Sequence, residues 1–127
     1  MIHEPLTKLQ CCPTSNGAAA AILCPEEFVK KHKLEDQAVE VVNLVMTTDK
    51  PSTYLSNSNI ALVGGDMTKE ASRKVFDKTG YTPKDVQAVE LHDCFSANEL
   101  VTYEGLGLCD IGKAGEFIDK GDNTYGG

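Results

Sequence analysis

Hydrophobic residues fall along this chain in three short apolar runs and three stretches with helix signals. Residues 38–46 (Ala-Val-Glu-Val-Val-Asn-Leu-Val-Met) are rich in β-branched side chains and mostly apolar on both alternating faces, which predicts an interior strand. Residues 86–91 form a second run, a strand that delivers His92 at its carboxyl end. Residues 18–23 (Ala-Ala-Ala-Ala-Ile-Leu) are helical by propensity. They are also short, uniformly apolar and bounded by Asn16-Gly17 and Pro25, as a strand buried on both faces would be. The pattern leaves both readings of this run open.

The helices are marked by their ends. Pro25 suits a first helical position, with Glu26 and Glu27 in the first turn and Lys30, Lys31 and His32 in the last, so charge complements the helix dipole at both ends. A longer helix is predicted from a cap at Thr68, with Met67, Ala71 and Val75 on one face, Glu70 four residues before Lys74, and Gly80 as the stop. A third opens at Ser96. Ser96 and Glu99 have the spacing of a capping box, Phe95 and Leu100 that of a hydrophobic staple, and Gly105 and Gly107 end the helix. Residues 7–16 read as a polar turn, 47–59 as a long polar connection, and 112–127 as a glycine-rich irregular tail.

Alternating strands and helices predict an α/β domain. In such domains ligands bind just beyond the carboxyl ends of strands, which is where His92-Asp93-Cys94-Phe95 falls.

Composition narrows the function classes. The chain has 127 residues, 41% of them hydrophobic, with 12 Lys+Arg against 19 Asp+Glu and a formal net charge of −7. One compact domain is expected. Scattered cations in an acidic chain give no footprint for nucleic acid or anionic lipid. No apolar run approaches a membrane span, and the amino terminus lacks the basic and apolar regions of a signal peptide. Five cysteines without a repeated spacing fit reduced thiols better than a disulfide framework, and three separated histidines give no metal site.

Among candidate residues, His92 can donate one N–H near neutral pH and so serve acid/base work or an oxyanion, although a structural histidine at a strand end is the competing reading. Asp93 either orients that imidazole or serves the helix start. Cys94, two residues from His92 and near a helix amino terminus where a thiol is activated, could form a nucleophilic pair with it, but a small buried packing thiol is the favoured reading, because residues two apart on a strand rarely hydrogen-bond side chain to side chain. The adjacent Cys11 and Cys12 divide the same way between reactivity and packing. Residues 121–127 could cradle a phosphate through main-chain N–H groups, without the lysine of a P-loop.

The run Glu90-Leu91-His92-Asp93-Cys94-Phe95-Ser96, followed by Asn98-Glu99-Leu100, Tyr103-Glu104, Leu106-Gly107-Leu108-Cys109 and Gly121-Asp122-Asn123-Thr124-Tyr125-Gly126-Gly127, resembles the thiolase portion of the sterol carrier protein x family. These are peroxisomal 3-oxoacyl-CoA thiolases of the propanoyl-CoA C-acyltransferase type, fused in animals to a sterol carrier protein two domain. Residues 6–15 and 17–23 share the likeness, so it spans the chain. His-Asp-Cys-Phe is its specific signature, because most other thiolases resemble one another in having Asn-Glu-Ala-Phe there.

The resemblance implies a layered αβα thiolase fold, with residues 1–34 ending its first half and 35–127 opening its second. It implies that a cysteine takes the acyl group from a branched or sterol-derived 3-oxoacyl-CoA and that coenzyme A, as co-substrate, releases a shortened acyl-CoA. No bound cofactor is implied. His92 would then donate to the thioester oxygen in an oxyanion hole, with Asp93, Cys94 and Phe95 supporting it and Cys12 near the pantetheine arm. The complete enzyme would be a peroxisomal homodimer, with cytoplasm or mitochondrion as alternative locations. The family's nucleophilic cysteine would precede this chain, and its Gly-His-Pro and Cys-x-Gly motifs would follow. An alternative class is a non-catalytic product that binds lipid or a partner. A divided sheet would also leave apolar surface near Val41, Val45 and Val89 exposed, favouring self-association.

Overall fold

A computed structural model describes every residue, Met1–Gly127. It contains six α-helices: α1 (Glu26–His32), α2 (Pro51–Leu55), α3 (Asn59–Leu62), α4 (Gly65–Thr79), α5 (Ser96–Leu106) and α6 (Ala114–Asp119). Single 3₁₀ turns stand at Lys8–Gln10 and Pro83–Asp85. The chain divides into a main unit, Met1–Cys12 with Asn43–Gly127, and a smaller unit, Pro13–Val42.

The smaller unit holds α1. Glu26 and Glu27 lie in its first turn and Lys30, Lys31 and His32 in its last, as expected; Pro25 stands one position earlier than expected, at the N-cap. Phe28 and His32, one turn apart, bring their rings to 4.2 Å. Lys33 closes the helix in the left-handed conformation, φ 53°.

In the main unit α4 lies against α5. Gly105 permits that approach, since a Cβ there would stand 2.9 Å from Cγ2 of Thr68. Ser72 donates from Oγ to the Leu106 carbonyl at 3.0 Å, fastening the same contact four residues on. The core is small: Ala61, Tyr103 and Ala114 are its buried hydrophobic residues, and Thr53 is buried within α2. The Tyr103 ring meets Phe117 of α6 edge-on at 5.4 Å.

Several sequence expectations are corrected. Thr68 is not a cap: α4 begins three residues earlier, after Gly64 at φ 90°, and the Thr68 N–H joins the first turn by donating to the Gly64 carbonyl. The capping box of Ser96 and Glu99 does not form, because the Glu99 carboxylate accepts the Tyr103 hydroxyl instead. Gly105 lies inside α5, and Gly107, at φ 79°, ends it alone. The polar connection 47–59 contains α2 and the start of α3, and the tail contains α6.

The three apolar runs join no ladder. The only bridges are His3 with Leu6 and Cys11 with Phe95. A strand exists through its neighbour's hydrogen bonds, and residues 18–23, 38–46 and 86–91 have no facing strand here. The chain thus realises the helices of the expected α/β arrangement without its sheet. Val39, Leu44 and Met46 are 90%, 87% and 85% exposed. Val41 and Val89 are also exposed, while Val45 is half-buried. No helix is long and apolar enough to cross a membrane.

Candidate functional site

The His92–Phe95 turn is held from both sides. From α5, Asn98 reaches back so that its Nδ2 donates to the His92 carbonyl at 3.0 Å, while its main-chain N–H donates to the Phe95 carbonyl at 2.8 Å. From the amino terminus, the Cys12 N–H donates to the Cys94 carbonyl at 2.8 Å, and Cys11 pairs with Phe95 in an antiparallel bridge. Two segments more than 80 residues apart are thereby set side by side.

The amino-terminal partner is itself prepared locally. Thr7 caps the turn Lys8–Gln10: its Oγ1 accepts from the Leu9 N–H at 3.2 Å, and its own N–H donates to Oε1 of Gln10 at 2.6 Å. That reciprocal box leads into Cys11 with extended backbone, φ −113° and ψ 133°, ready to pair.

Beside the bridge lies a cavity of about 300 Å³, lined by Ile2, Leu6, Cys11, Val63, Phe95 and Val101 together with the first turn of α5. Its wall is mostly apolar, suited to an alkyl or acyl group. The His92 imidazole is exposed, as are Asp93 and Cys12, whereas Cys94 is half-buried.

A second cluster escaped sequence reasoning. The Tyr103 hydroxyl donates to Glu99, and Asn123 Nδ2 donates to the Tyr103 oxygen at 3.4 Å. Burial, first, and then the hydrogen bond to Glu99 push the Tyr103 phenol above its ordinary pKa, and the Asp93 charge adds to this. The four-residue spacing of Glu99 and Tyr103 on one helix was the available signal. Cys109 is raised as well, by burial and then by Glu104 and Asp110, which disfavours its thiolate. In the tail, the N–H groups of Gly121, Asp122, Thr124 and Gly127 donate to nearby main-chain carbonyls and form no open phosphate cradle.

Comparison with known proteins adds to this geometry. Residues 39–127 match the family described as thiolase C-terminal domain-like. Sterol carrier protein 2 of Gallus gallus is 65% identical over 126 residues, and that of Homo sapiens 58%, each alignment covering 99% of this chain and 23% of the relative. Benzoylsuccinyl-CoA thiolase subunit BbsB of Thauera aromatica is 37% identical over 127 residues, 32% of its length. The chain therefore spans about a quarter to a third of these relatives. With the match running from the 39–46 segment through the His92 turn to the last residue, the chain belongs to the thiolase C-terminal domain-like family.

Proposed function

We propose that this chain is part of a 3-oxoacyl-CoA thiolase acting in lipid metabolism, and that His92 supplies one donor of its oxyanion hole. The observation that carries this is the bridge: Cys12 donates to Cys94 and Cys11 pairs with Phe95, so the segment assigned to the pantetheine arm lies against the His-Asp-Cys-Phe turn. In this reading residues 1–34 end the first thiolase half, residues 35–127 open the second, and the runs 18–23, 39–46 and 86–91 become strands of a layered αβα fold when the remaining segments pair with them.

A cysteine outside the chain takes the acyl group from the 3-oxoacyl-CoA, and coenzyme A then releases it as a shortened acyl-CoA. The exposed His92 imidazole offers its N–H to the thioester oxygen as negative charge develops there, and Asn98 holds the His92 main chain in place. Asp93, Cys94 and Phe95 shape the turn. The whole protein acts as a peroxisomal homodimer.

The test has two arms. The 127-residue chain alone should show no CoA-dependent cleavage of a 3-oxoacyl-CoA, since an oxyanion donor without its nucleophile supplies only part of the barrier reduction. In the complete protein His92→Ala should lower kcat by about 10²-fold with little change in substrate binding. An unchanged kcat would make His92 structural.

A second reading, a lipid-binding module without catalysis, is favoured by the apolar cavity beside the bridge. It also has support from relatives named sterol carrier protein 2 and non-specific lipid-transfer protein-like 2, the latter from Caenorhabditis elegans. Saturable binding of a fluorescent fatty acid, blocked by Val101→Lys, together with His92→Ala leaving thiolysis intact, would select it.

A further inference from the structure

Cys12 and Cys94 are 82 positions apart in sequence, and the structure joins their main chains, the Cys12 N–H donating to the Cys94 carbonyl at 2.8 Å. The pairing fixes this register. Cys11 bridges Phe95 in antiparallel sense, and the next residue in one direction along each segment gives Cys12 and Cys94, joined by the N–H to carbonyl hydrogen bond of 2.8 Å. Opposed residues of an antiparallel pair project from the same face, with Cβ atoms roughly 4.5–5.5 Å apart. Successive residues project from opposite faces.

The cavity lining includes Cys11 and Phe95, and neither Cys12 nor Cys94. Both thiols lie outside that lining. One main-chain hydrogen bond brings the two residues together, and a disulfide spans Cα atoms roughly 4.4–6.8 Å apart, a separation that such main-chain contact allows. Both thiols are free, Cys12 exposed and Cys94 half-buried, so a small oxidant reaches the first and the second is its neighbour.

We propose that Cys12 and Cys94 form a reversible disulfide, closed by a peroxide and reopened by a thiol reductant. The thiolate of Cys12 attacks one oxygen of hydrogen peroxide; the O–O bond breaks, hydroxide leaves and takes up a proton to become water, and Cys12 carries a sulfenic acid. The Cys94 thiol then attacks that sulfur, the S–O bond breaks, and the hydroxyl departs as water with the Cys94 proton. Two thiols have given up two electrons and two protons, and one peroxide has become two waters. A dithiol reductant reverses the bond by exchange and ends as its own disulfide. The closed form ties the amino-terminal segment covalently to the His92 turn, holding the bridge and the cavity wall in one register. The proposal is independent of the thiolase reading, since it needs only the pairing of the two segments.

The test treats the reduced 127-residue chain with stoichiometric hydrogen peroxide, then counts free thiols and measures intact mass. The five thiols should fall to three in a monomer lighter by two hydrogens, and dithiothreitol should restore all five. Cys12→Ser and Cys94→Ser should each abolish the intramolecular bond, whereas Cys11→Ser, Cys24→Ser and Cys109→Ser should preserve it. In urea the same treatment should scatter the pairing, showing that the folded register directs it; far-UV circular dichroism verifies that each variant is folded. A Cys11–Cys12 bond, a bond surviving Cys12→Ser or Cys94→Ser, a disulfide-linked dimer, or no thiol loss would each overturn the proposal.

Discussion

A methyl group at residue 105 decides whether α4 and α5 can touch. Alanine there would put its Cβ 2.9 Å from Cγ2 and 3.1 Å from Cβ of Thr68, so Gly105→Ala should cost about 1–3 kcal/mol in urea unfolding. Thr68→Ala in the same chain should recover part of that loss by removing the nearer atom. Tyr103 makes a different demand. Its raised pKa means that the folded state favours the neutral phenol, so its contribution to stability is complete below the ordinary tyrosine value of about 10 and is lost as pH rises through the higher folded value. Unfolding midpoints on either side of about pH 10 should therefore fall more steeply for the native chain than for Tyr103→Phe. Neither role was legible in sequence. Gly105 read as a helix stop because its reason for being glycine is another helix, and Glu99 read as a cap because its partner Tyr103 had not been given a task.

Helix ends were written most clearly in the chain. Gly80 and Gly107 both stop a helix with φ near +80°, as expected from their positions, yet they differ in surroundings. A Cβ on Gly80 meets nothing within 4 Å, while one on Gly107 meets Cγ of Pro83 at 3.2 Å. Alanine at position 80 should thus cost only the left-handed backbone penalty, about 1–2 kcal/mol. Position 107 should cost more, and parallel denaturation curves of the two variants check the order. Helix starts were less legible: α4 opens on glycines, a signal with no side chain to read, and α5 opens at Ser96 without the box its spacing suggested. The short helices α2, α3 and α6 were hidden in polar or glycine-rich stretches, whose composition says turn regardless of what packs over it. Strand pairing depends on distant partners, so periodicity at 38–46 and 86–91 reported apolar faces without reporting what faces them. The candidate site was legible as two separate pieces, and their contact appeared only in three dimensions.

The whole molecule carries more apolar surface than its small core can absorb. Val39, Leu44 and Met46 stand in water along a segment whose main chain pairs with no strand, the combination that invites another copy to add one. The 127-residue chain should therefore self-associate in sedimentation velocity, and Leu44→Lys should raise the monomer fraction; a native chain that stays monomeric at all concentrations would contradict this. The division of the chain into two units adds a topological point. The 30 residues Pro13–Val42 form their own unit, yet they interrupt another, since Met1–Cys12 belongs with Asn43–Gly127. Covalent order and structural membership therefore disagree. The first twelve residues are a tenant rather than an anchor: they keep their place through the Cys11–Phe95 pairing and the hydrogen bond to Cys94, and a nick anywhere in the interrupting segment would turn that place into a bimolecular binding equilibrium.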